Sequence, residues 1–332
     1  MIGNRFVYAG VMTSYVCSAA CRHCMFCSSP GLPKDFMDSK AATRVAGALK
    51  RGGATSVHIG GGEPFLNIES LYTLLSALRR ERITVDYIET NASWCVDVPR
   101  AKAWLAGIRD LGPRCVMASV DPFHIEFVPL ERPLRLIGLL DEMGMDSFLW
   151  QERFLKRLLP LNRSRPHTHA QLKTALGEDY VASTAAEYGV GPSGRALNIA
   201  RATRPSRPAQ ALLTSKHCDL LDGRHCHVDL FENVVPGGCP GIAIALDDFV
   251  SADLPMEKYP VAARLINGGT NALFAYAKVN GFVLDDQYIS SCDLCFAMRD
   301  YLSDAAPSSD IGPKCFYESM RRSRSPMTRC SC

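Results

Sequence analysis

The chain has 332 residues, of which 47% are hydrophobic and 21% charged, and its formal net charge is +3. This length suffices for one large α/β domain with a smaller appendage. A net charge of +3 is too small to indicate that the protein binds nucleic acid or an acidic membrane surface. No uncharged apolar run reaches the roughly 18 residues of a membrane span, and residues 1–9 lack the apolar core of an export signal, so we expect a cytoplasmic protein.

Strand and helix patterns alternate over the first half of the chain. Such units of roughly 30 residues predict parallel strands with right-handed crossovers. A doubly wound sheet and a barrel both fit this pattern, and in either the ligands gather at the C-terminal ends of the strands. Strands are predicted over 5–13, 56–59, 84–89, 115–120 and 146–150, and helices over 39–51, 67–82, 100–111 and 134–143.

The pattern changes after the fifth strand. A helix is predicted over 170–188 with an interruption near Gly177, and residues 227–236 alternate and then turn, which predicts a β-hairpin. Beyond about residue 216 the strand–helix alternation fades and cysteines return. We therefore predict two domains, 1–210 and 211–332.

Fourteen cysteines are many for a chain of a reducing compartment, where clustered cysteines more often bind metal or do chemistry. Cys17, Cys21 and Cys24 follow the first strand in one loop, so their thiolates can hold three irons of a cuboidal cluster. Cys27 follows shortly after and offers a fourth ligand. Because four cysteines also satisfy a tetrahedral zinc ion, this loop alone does not decide between the two metals.

Glycines and a carboxylate stand at the end of the second strand, in Gly61, Gly62, Glu63 and Pro64. Glycines permit close backbone approach, and a carboxylate there can accept hydrogen bonds from an ammonium group. The spacing is not that of a dinucleotide-binding loop. Since the cysteine loop follows strand one and this turn follows strand two, both are expected at the same end of a parallel sheet.

Together the two motifs resemble those of the radical S-adenosylmethionine (radical SAM) superfamily. The matching residues are Cys17, Cys21 and Cys24 and the Gly-Gly-Glu-Pro turn at 61–64. The resemblance implies a partial (β/α)6 TIM-like barrel, a [4Fe–4S] cluster on the three cysteines, and an open iron that chelates the amino and carboxylate groups of S-adenosylmethionine (SAM). Cys27 is then not a ligand, because a fourth protein ligand would block SAM.

The resemblance also implies how SAM is held. His23 matches the position that packs near adenine, and Glu63 the position that binds the methionine ammonium. Arg195, in a Gly-Arg-Ala sequence, is expected to pair with the SAM carboxylate, with a surface salt bridge as the alternative. Polar residues at the ends of strands three and four are expected at the ribose or the methionine: Thr90, Asn91, Ser119 and Asp121. Ser119 and Asp121 can instead begin a turn.

Further cysteines surround the predicted hairpin. Cys218 lies before it, Cys239 just after it, and Cys292 and Cys295 form a Cys-x2-Cys knuckle that suits metal ligation. This order resembles the twitch and SPASM extensions of the superfamily, which implies a small cysteine-rich C-terminal extension with one auxiliary [4Fe–4S] cluster on these four cysteines. Structural zinc on the same thiolates is the alternative. Other cysteines are candidate substitutes or further ligands: Cys226, Cys315, Cys330 and Cys332.

The resemblance implies an oxidoreductase or maturase that cleaves SAM reductively and abstracts a hydrogen atom from a substrate carbon. Its electron donor would be a protein such as flavodoxin or ferredoxin. Chain length and a single auxiliary cluster resemble the dehydrogenases of small molecules. A maturase that crosslinks or epimerises a ribosomal precursor peptide is the alternative, and a zinc-stabilised binding protein is the alternative from another class.

Overall fold

The computed structural model describes residues 6–251 and 253–324. Its first half consists of parallel strands joined by helices. The strands are β1 (Ala9–Met12), β2 (Ser56–Gly60), β3 (Thr84–Thr90), β4 (Cys115–Ser119) and β5 (Asp146–Trp150), and the helices are α1 (Ser39–Arg51), α2 (Ile68–Arg80), α3 (Val98–Leu111) and α4 (Glu131–Glu142). Neighbouring strands pair in parallel from β1 to β5, so each helix is a crossover on the sheet.

The helices begin at side chains that cap them. Asp38, Asn67 and Asp97 each accept a hydrogen bond from a backbone N–H in the first turn of α1, α2 and α3. These bonds satisfy amides that lack a partner within the helix. The predicted helices 39–51 and 100–111 end as expected, with Gly52 and Gly112 as their C-caps. Local capping therefore determined most of these boundaries.

The sheet has two chemically different faces. Val11, Val57 and Ile59 are completely buried and pack with α1 and α2 in the main hydrophobic core. Because successive side chains of a strand point to opposite faces, Gly10, His58 and Gly60 lie on the other, inner face. This inner face carries the polar and small residues that form the candidate site.

The segment after β5 differs from a regular strand–helix unit. Residues 151–206, all of which are described, contain helices and no strand. The predicted interruption near Gly177 is confirmed, because this residue has φ of 104° and ends a helix. The four helices are α5 (Leu155–Leu158), α6 (His169–Leu176), α7 (Tyr180–Tyr188) and α8 (Ala196–Thr203).

The rest of the described chain combines short strands with long helices. Its elements are β6 (Arg207–Pro208), β7 (Cys226–Val228), β8 (Asn233–Val235), β9 (Ile244–Ala245), α9 (Leu246–Phe249), α10 (Pro260–Val279), β10 (Gln287–Tyr288), α11 (Ser291–Ala305) and α12 (Lys314–Arg324). The predicted hairpin is confirmed, since β7 and β8 are antiparallel. α10 is interrupted at Gly269, where a Cβ would lie 2.4 Å from the carbonyl oxygens of Thr214 and Lys216.

The hairpin joins the main sheet rather than forming a separate one. β7 pairs in parallel with β1, which makes the strand order β5-β4-β3-β2-β1-β7-β8-β9. The sixth parallel strand therefore lies beside β1 and not beside β5. The expected α/β class with a partial TIM-like arrangement is confirmed, while the division at 210/211 stays a prediction. No helix in the described part of the chain is both long and apolar enough to cross a membrane.

Candidate active site

The three cysteines of the first loop lie together at the C-terminal ends of the parallel strands. Cys17, Cys21 and Cys24 line one cavity, and the Cys24 amide closes the loop by donating to the Cys21 carbonyl at 3.1 Å. Polar groups from the ends of β2, β3 and β4 complete the wall. The other residues of this wall are Ala19, His23, Ser28, Gly61, Gly62, Glu89, Thr90, Asn91, Ser119, His124 and Arg195.

Cys27 lies outside this cavity. Its side chain is completely buried in a cluster with Leu197, Phe316 and Tyr317. Its carbonyl accepts a hydrogen bond from the Ser319 hydroxyl at 2.7 Å. Cys27 is therefore not among the residues that line the cavity, and its exclusion from the cluster stays a prediction.

The spacing of the sulfurs distinguishes a cluster from zinc. A tetrahedral zinc ion with Zn–S bonds of about 2.3 Å holds its sulfurs about 3.8 Å apart. Among the described residues, two groups of three ligand atoms lie within 4.8 Å of one another, and neither contains a cysteine. A cuboidal cluster spreads its thiolates farther apart because irons and sulfides lie between them. No three described cysteine sulfurs are thus gathered as tightly as a tetrahedral zinc ion holds its ligands.

The Gly-Gly-Glu-Pro turn packs directly on the cysteine loop. The Gly62 amide donates to the Ser14 carbonyl at 2.7 Å, and a Cβ at Gly62 would lie 1.9 Å from the Val16 carbonyl oxygen. Gly61 has φ of 117°, a conformation that favours glycine. The two glycines are required because the turn and the cysteine loop approach backbone to backbone.

Glu63 lies beneath the cavity wall. Its carboxylate is completely buried and accepts hydrogen bonds from the Thr90 hydroxyl and the Asn91 amide, both at 2.8 Å. Burial raises the pKa of this carboxyl to about 7. Pro64, also buried, begins the short helix that the carboxylate caps. Glu63 therefore ties the end of β2 to the end of β3, and its binding to the methionine ammonium stays a prediction.

Asn91 contacts a cysteine of the first loop directly. Its Nδ2 donates to Cys17 Sγ at 3.3 Å and to the Ser18 hydroxyl at 3.1 Å, and its Oδ1 accepts from the Ser93 amide at 2.9 Å. The side chain is 6% exposed. Asn91 is thus held in place to stabilise negative charge on the Cys17 sulfur.

We expect Asn91→Leu to make the reduction potential of the first cluster more negative by about 40 mV. A hydrogen bond of about 1 kcal/mol to the more negative, reduced cluster is lost, and 59 mV corresponds to about tenfold for one electron. An EPR-monitored redox titration without SAM measures the shift. Asn280→Ala, whose amide bonds the Tyr276 carbonyl in α10, is the control. An unchanged or less negative potential would contradict the assignment.

A buried carboxylate organises two histidines at the cavity. Asp121 Oδ2 lies 2.7 Å from His124 Nδ1 and 3.9 Å from His23 Nε2. Burial alone would raise the pKa of Asp121, but the two histidines hold it low, at about 2. His23 packs against Phe123 and Tyr188, with ring centroids 4.9 and 4.8 Å away. The aromatic surroundings agree with the expected place for adenine, which stays a prediction.

Asp121 also caps the turn after β4. Its Oδ1 accepts from the backbone amides of Phe123 and His124. The predicted alternative, that Asp121 begins a turn, thus describes part of its role. The carboxylate is fully buried, and both of its oxygens have partners within the protein. Ser119, by contrast, faces the cavity.

Arg195 holds the cysteine loop by hydrogen bonds to two of its backbone carbonyls. It is 7% exposed, and its guanidinium donates to the carbonyls of Cys21 at 2.8 Å and Ser28 at 2.6 Å. The preceding Gly194 has φ of 54°, and a Cβ there would lie 2.1 Å from the Met25 carbonyl oxygen. The surface salt bridge is wrong for this residue, since its partners are buried carbonyls. Pairing with the SAM carboxylate stays a prediction.

Two cavity residues were absent from the predicted site. Glu89 and His124 line the cavity, and burial raises the pKa of Glu89 to about 7. Both had a signal in their positions along the chain. Glu89 directly precedes Thr90 at the end of strand three, and His124 follows strand four closely, where the loops of a parallel sheet gather around ligands.

The four distal cysteines come together in a second cavity. Cys218, Cys239, Cys292 and Cys295 all line it, in a volume of about 270 Å³. Burial, together with the neighbouring thiols, raises the pKa of Cys218 to about 11 and that of Cys239 to about 12. Because a metal binds thiolates, a centre at this site would have to supply the positive charge that deprotonates these cysteines.

A buried cation accompanies this second set. Arg299 is 5% exposed, lines the cavity, and donates to the Pro240 carbonyl at 3.0 Å. Its Nε is buried without a hydrogen-bond partner. Of the substitute ligands, Cys226 lies within β7 and Cys315 near the start of α12, and neither lines this cavity. Cys330 and Cys332 lie outside the described residues.

Comparison with solved structures gives only distant similarities. SuiB of Streptococcus suis bound to S-adenosylmethionine has 14% identity over 76% of this chain and 68% of that chain, with a TM-score of 0.45. BtrN in complex with AdoMet and 2-DOIA has 12% identity over 80% and 89%, with a TM-score of 0.42. AnSMEcpe with AdoMet and the Cp18Cys peptide has 12% identity over 89% and 96%, with a TM-score of 0.41. Because all three TM-scores are below 0.5, these similarities support no conclusion about function.

Family comparison is more specific. No curated protein matches the chain, but residues 11–159 match the model described as Radical SAM superfamily. The matched segment contains the cysteine loop, the Gly-Gly-Glu-Pro turn and the ends of β1 to β5. Residues 11–159 therefore form a radical SAM domain and the chain is an enzyme, so the alternative of a zinc-stabilised binding protein is wrong.

Proposed function

We propose that this radical SAM enzyme abstracts a hydrogen atom from a substrate carbon and uses an auxiliary [4Fe–4S] cluster in the same reaction. The observation that supports this most is the segment 192–197, which borders both cysteine cavities. Arg195 lines the first, and Pro192, Gly194 and Leu197 line the second. A cluster held at the second cavity would thus lie across one short segment from the first.

When bound, the cluster at the first cysteine loop and SAM supply the 5′-deoxyadenosyl radical that takes the hydrogen atom. The chain's own residues organise this chemistry. Asn91 donates a hydrogen bond to the Cys17 sulfur, and Arg195 holds the loop through two carbonyls. The packed rings of His23, Phe123 and Tyr188 keep water from one side of the cavity.

The substrate class we propose is a small polar molecule, such as one that a dehydrogenase or a natural-product tailoring enzyme oxidises. Its support is the cavity wall. Ser28, Glu89 and His124 line the wall and match none of the SAM-binding positions of the family pattern. Hydroxyl, carboxylate and imidazole groups recognise polar substrates by hydrogen bonds.

A peptide substrate is the second candidate, and the edge of the sheet favours it. Phe148 and Trp150 on the edge strand β5 are 38% and 43% exposed. Exposed aromatic side chains beside an open strand edge suit an extended peptide, which adds main-chain hydrogen bonds at such edges. An enzyme of this kind would be a maturase that crosslinks or epimerises a ribosomal precursor peptide.

Anaerobic reconstitution with iron and sulfide tests the proposal. We expect about eight irons per chain, which is about four for each of two clusters, and release of 5′-deoxyadenosine and methionine when SAM is added with a reductant or with reduced flavodoxin or ferredoxin. One or two zinc ions and no cleavage would refute it. A deuterated substrate that passes its label to 5′-deoxyadenosine identifies the substrate class, and a precursor-peptide gene beside this one would favour the peptide.

A further inference from the structure

Three histidines that the proposed reaction does not use meet on the inner face of the sheet. His58 lies on β2, His227 on β7, and His225 just before β7. One ring nitrogen from each lies within 4.8 Å of the others. We propose that this His58–His225–His227 cluster binds a divalent first-row transition-metal ion, separate from both iron–sulfur sites.

The three rings have the mutual spacing of imidazoles on one ion. Their centroids lie 5.6, 5.3 and 5.2 Å apart, which makes a nearly equilateral triangle. A tetrahedral ion that binds three imidazole nitrogens at about 2.0–2.1 Å holds the ring centroids about 5 Å apart. The observed triangle needs little adjustment to close around such an ion.

The sheet provides the space for this arrangement. In the register, Gly10 of β1 is paired with His58 on one side and with His227 on the other. A Cβ at Gly10 would lie 2.4 Å from His227 Cδ2 and 2.5 Å from His58 Nε2. Any larger residue would push the two rings apart, so glycine at this central position lets them converge.

His58 lacks the hydrogen bonds that a buried imidazole normally makes. It is 2% exposed, and its Nδ1 is buried without a partner. Its Nε2 lies 3.6 Å from Glu89 Oε1, beyond hydrogen-bond distance. An unpaired buried polar group costs about 1–3 kcal/mol, and an ion bound by this ring would offset that cost. Tyr8 and Tyr87 stack on the ring and fix its plane.

The chemistry of the cluster favours metal binding over other roles. Imidazole suits zinc, copper, iron and nickel. Three histidines leave one position of a tetrahedral ion open, which a water can occupy.

The test uses the reconstituted holoprotein, whose cysteine sites already hold iron. We expect about one Zn²⁺ per chain to survive gel filtration, measured by elemental analysis. Its X-ray absorption should show nitrogen or oxygen neighbours at about 2.0 Å and no sulfur at about 2.3 Å. His225→Gln alters an exposed ring, and His58→Phe keeps a ring between Tyr8 and Tyr87. Each should weaken Zn²⁺ binding at least about tenfold with iron content unchanged.

His169→Ala is the matched control, because it removes another exposed histidine from a different part of the fold. It should bind Zn²⁺ like the parent protein. If no Zn²⁺ is retained, if sulfur appears in its coordination, or if His225→Gln binds Zn²⁺ as tightly as the control, the proposal is wrong. Should His58→Phe fold poorly, His225→Gln alone decides the outcome.

Discussion

Replacement of Cys24 by alanine is expected to abolish reductive cleavage of SAM and to lower the iron content from about eight to about four per chain. Cys24 lines the first cavity and is only partly buried, so its loss should leave the fold intact. Two cysteines cannot hold a cluster that offers three irons to the protein. Iron analysis and chromatography of 5′-deoxyadenosine measure the two effects.

Cys115→Ala is the control for this variant. Cys115 is also partly buried, but it begins β4, at the opposite end of the strand from the cavity. It should keep full iron content and full cleavage activity. Cleavage by Cys24→Ala at the parent rate would show that Cys24 is not a ligand of the reactive cluster.

Removal of the second cysteine set should separate cleavage of SAM from turnover of the substrate. We expect Cys239→Ser to lose about four irons per chain and to lose substrate conversion to background, while it still releases 5′-deoxyadenosine. The reason is that Cys239 lies in the second cavity, and the first cavity keeps all its cysteines. Iron analysis and product detection on the same sample separate the two functions.

Cys315→Ser is the control that also discriminates between ligand sets. Cys315 lies near Asp229, outside the second cavity, and was a candidate substitute ligand. It should keep about eight irons. Loss of about four irons from Cys315→Ser, with none lost from Cys239→Ser, would replace Cys239 by Cys315 in the auxiliary site.

The link between the two cavities is a physical one. Arg195 binds the carbonyls of the first cysteine loop, and the residues before it border the second cavity. The segment that holds the first cysteine loop is thus continuous with the wall of the second cavity.

Local spacing in the sequence predicted much of the first cavity. Cys17, Cys21 and Cys24 are close in one loop, and such spacing by itself brings ligands together. The glycines at 61 and 62 also act locally, because the conformation they allow is decided by the missing Cβ. Helix caps such as Asn67 follow the same logic, since a cap bonds an amide within the first turn.

Residues distant in the sequence came together through pairing of strands and burial. β7 lies more than 200 residues after β1 in the sequence, yet it pairs with β1 and places His227 beside His58. The burial of Glu63 under the turn, and the placement of His124 at the cavity, likewise depend on how loops from different strands pack.

By itself the sequence determined the alternation of strands and helices in the first half of the chain and the radical SAM motifs, because these follow from spacing and from the period of the apolar residues. Only the tertiary structure decided which edge of the sheet receives the sixth parallel strand, and which distal cysteines meet. Those outcomes depend on contacts across many residues, where apolar surfaces and strand registers compete, and no local pattern encodes the result. The first cysteine loop was therefore predictable from the sequence, and the histidine cluster was not.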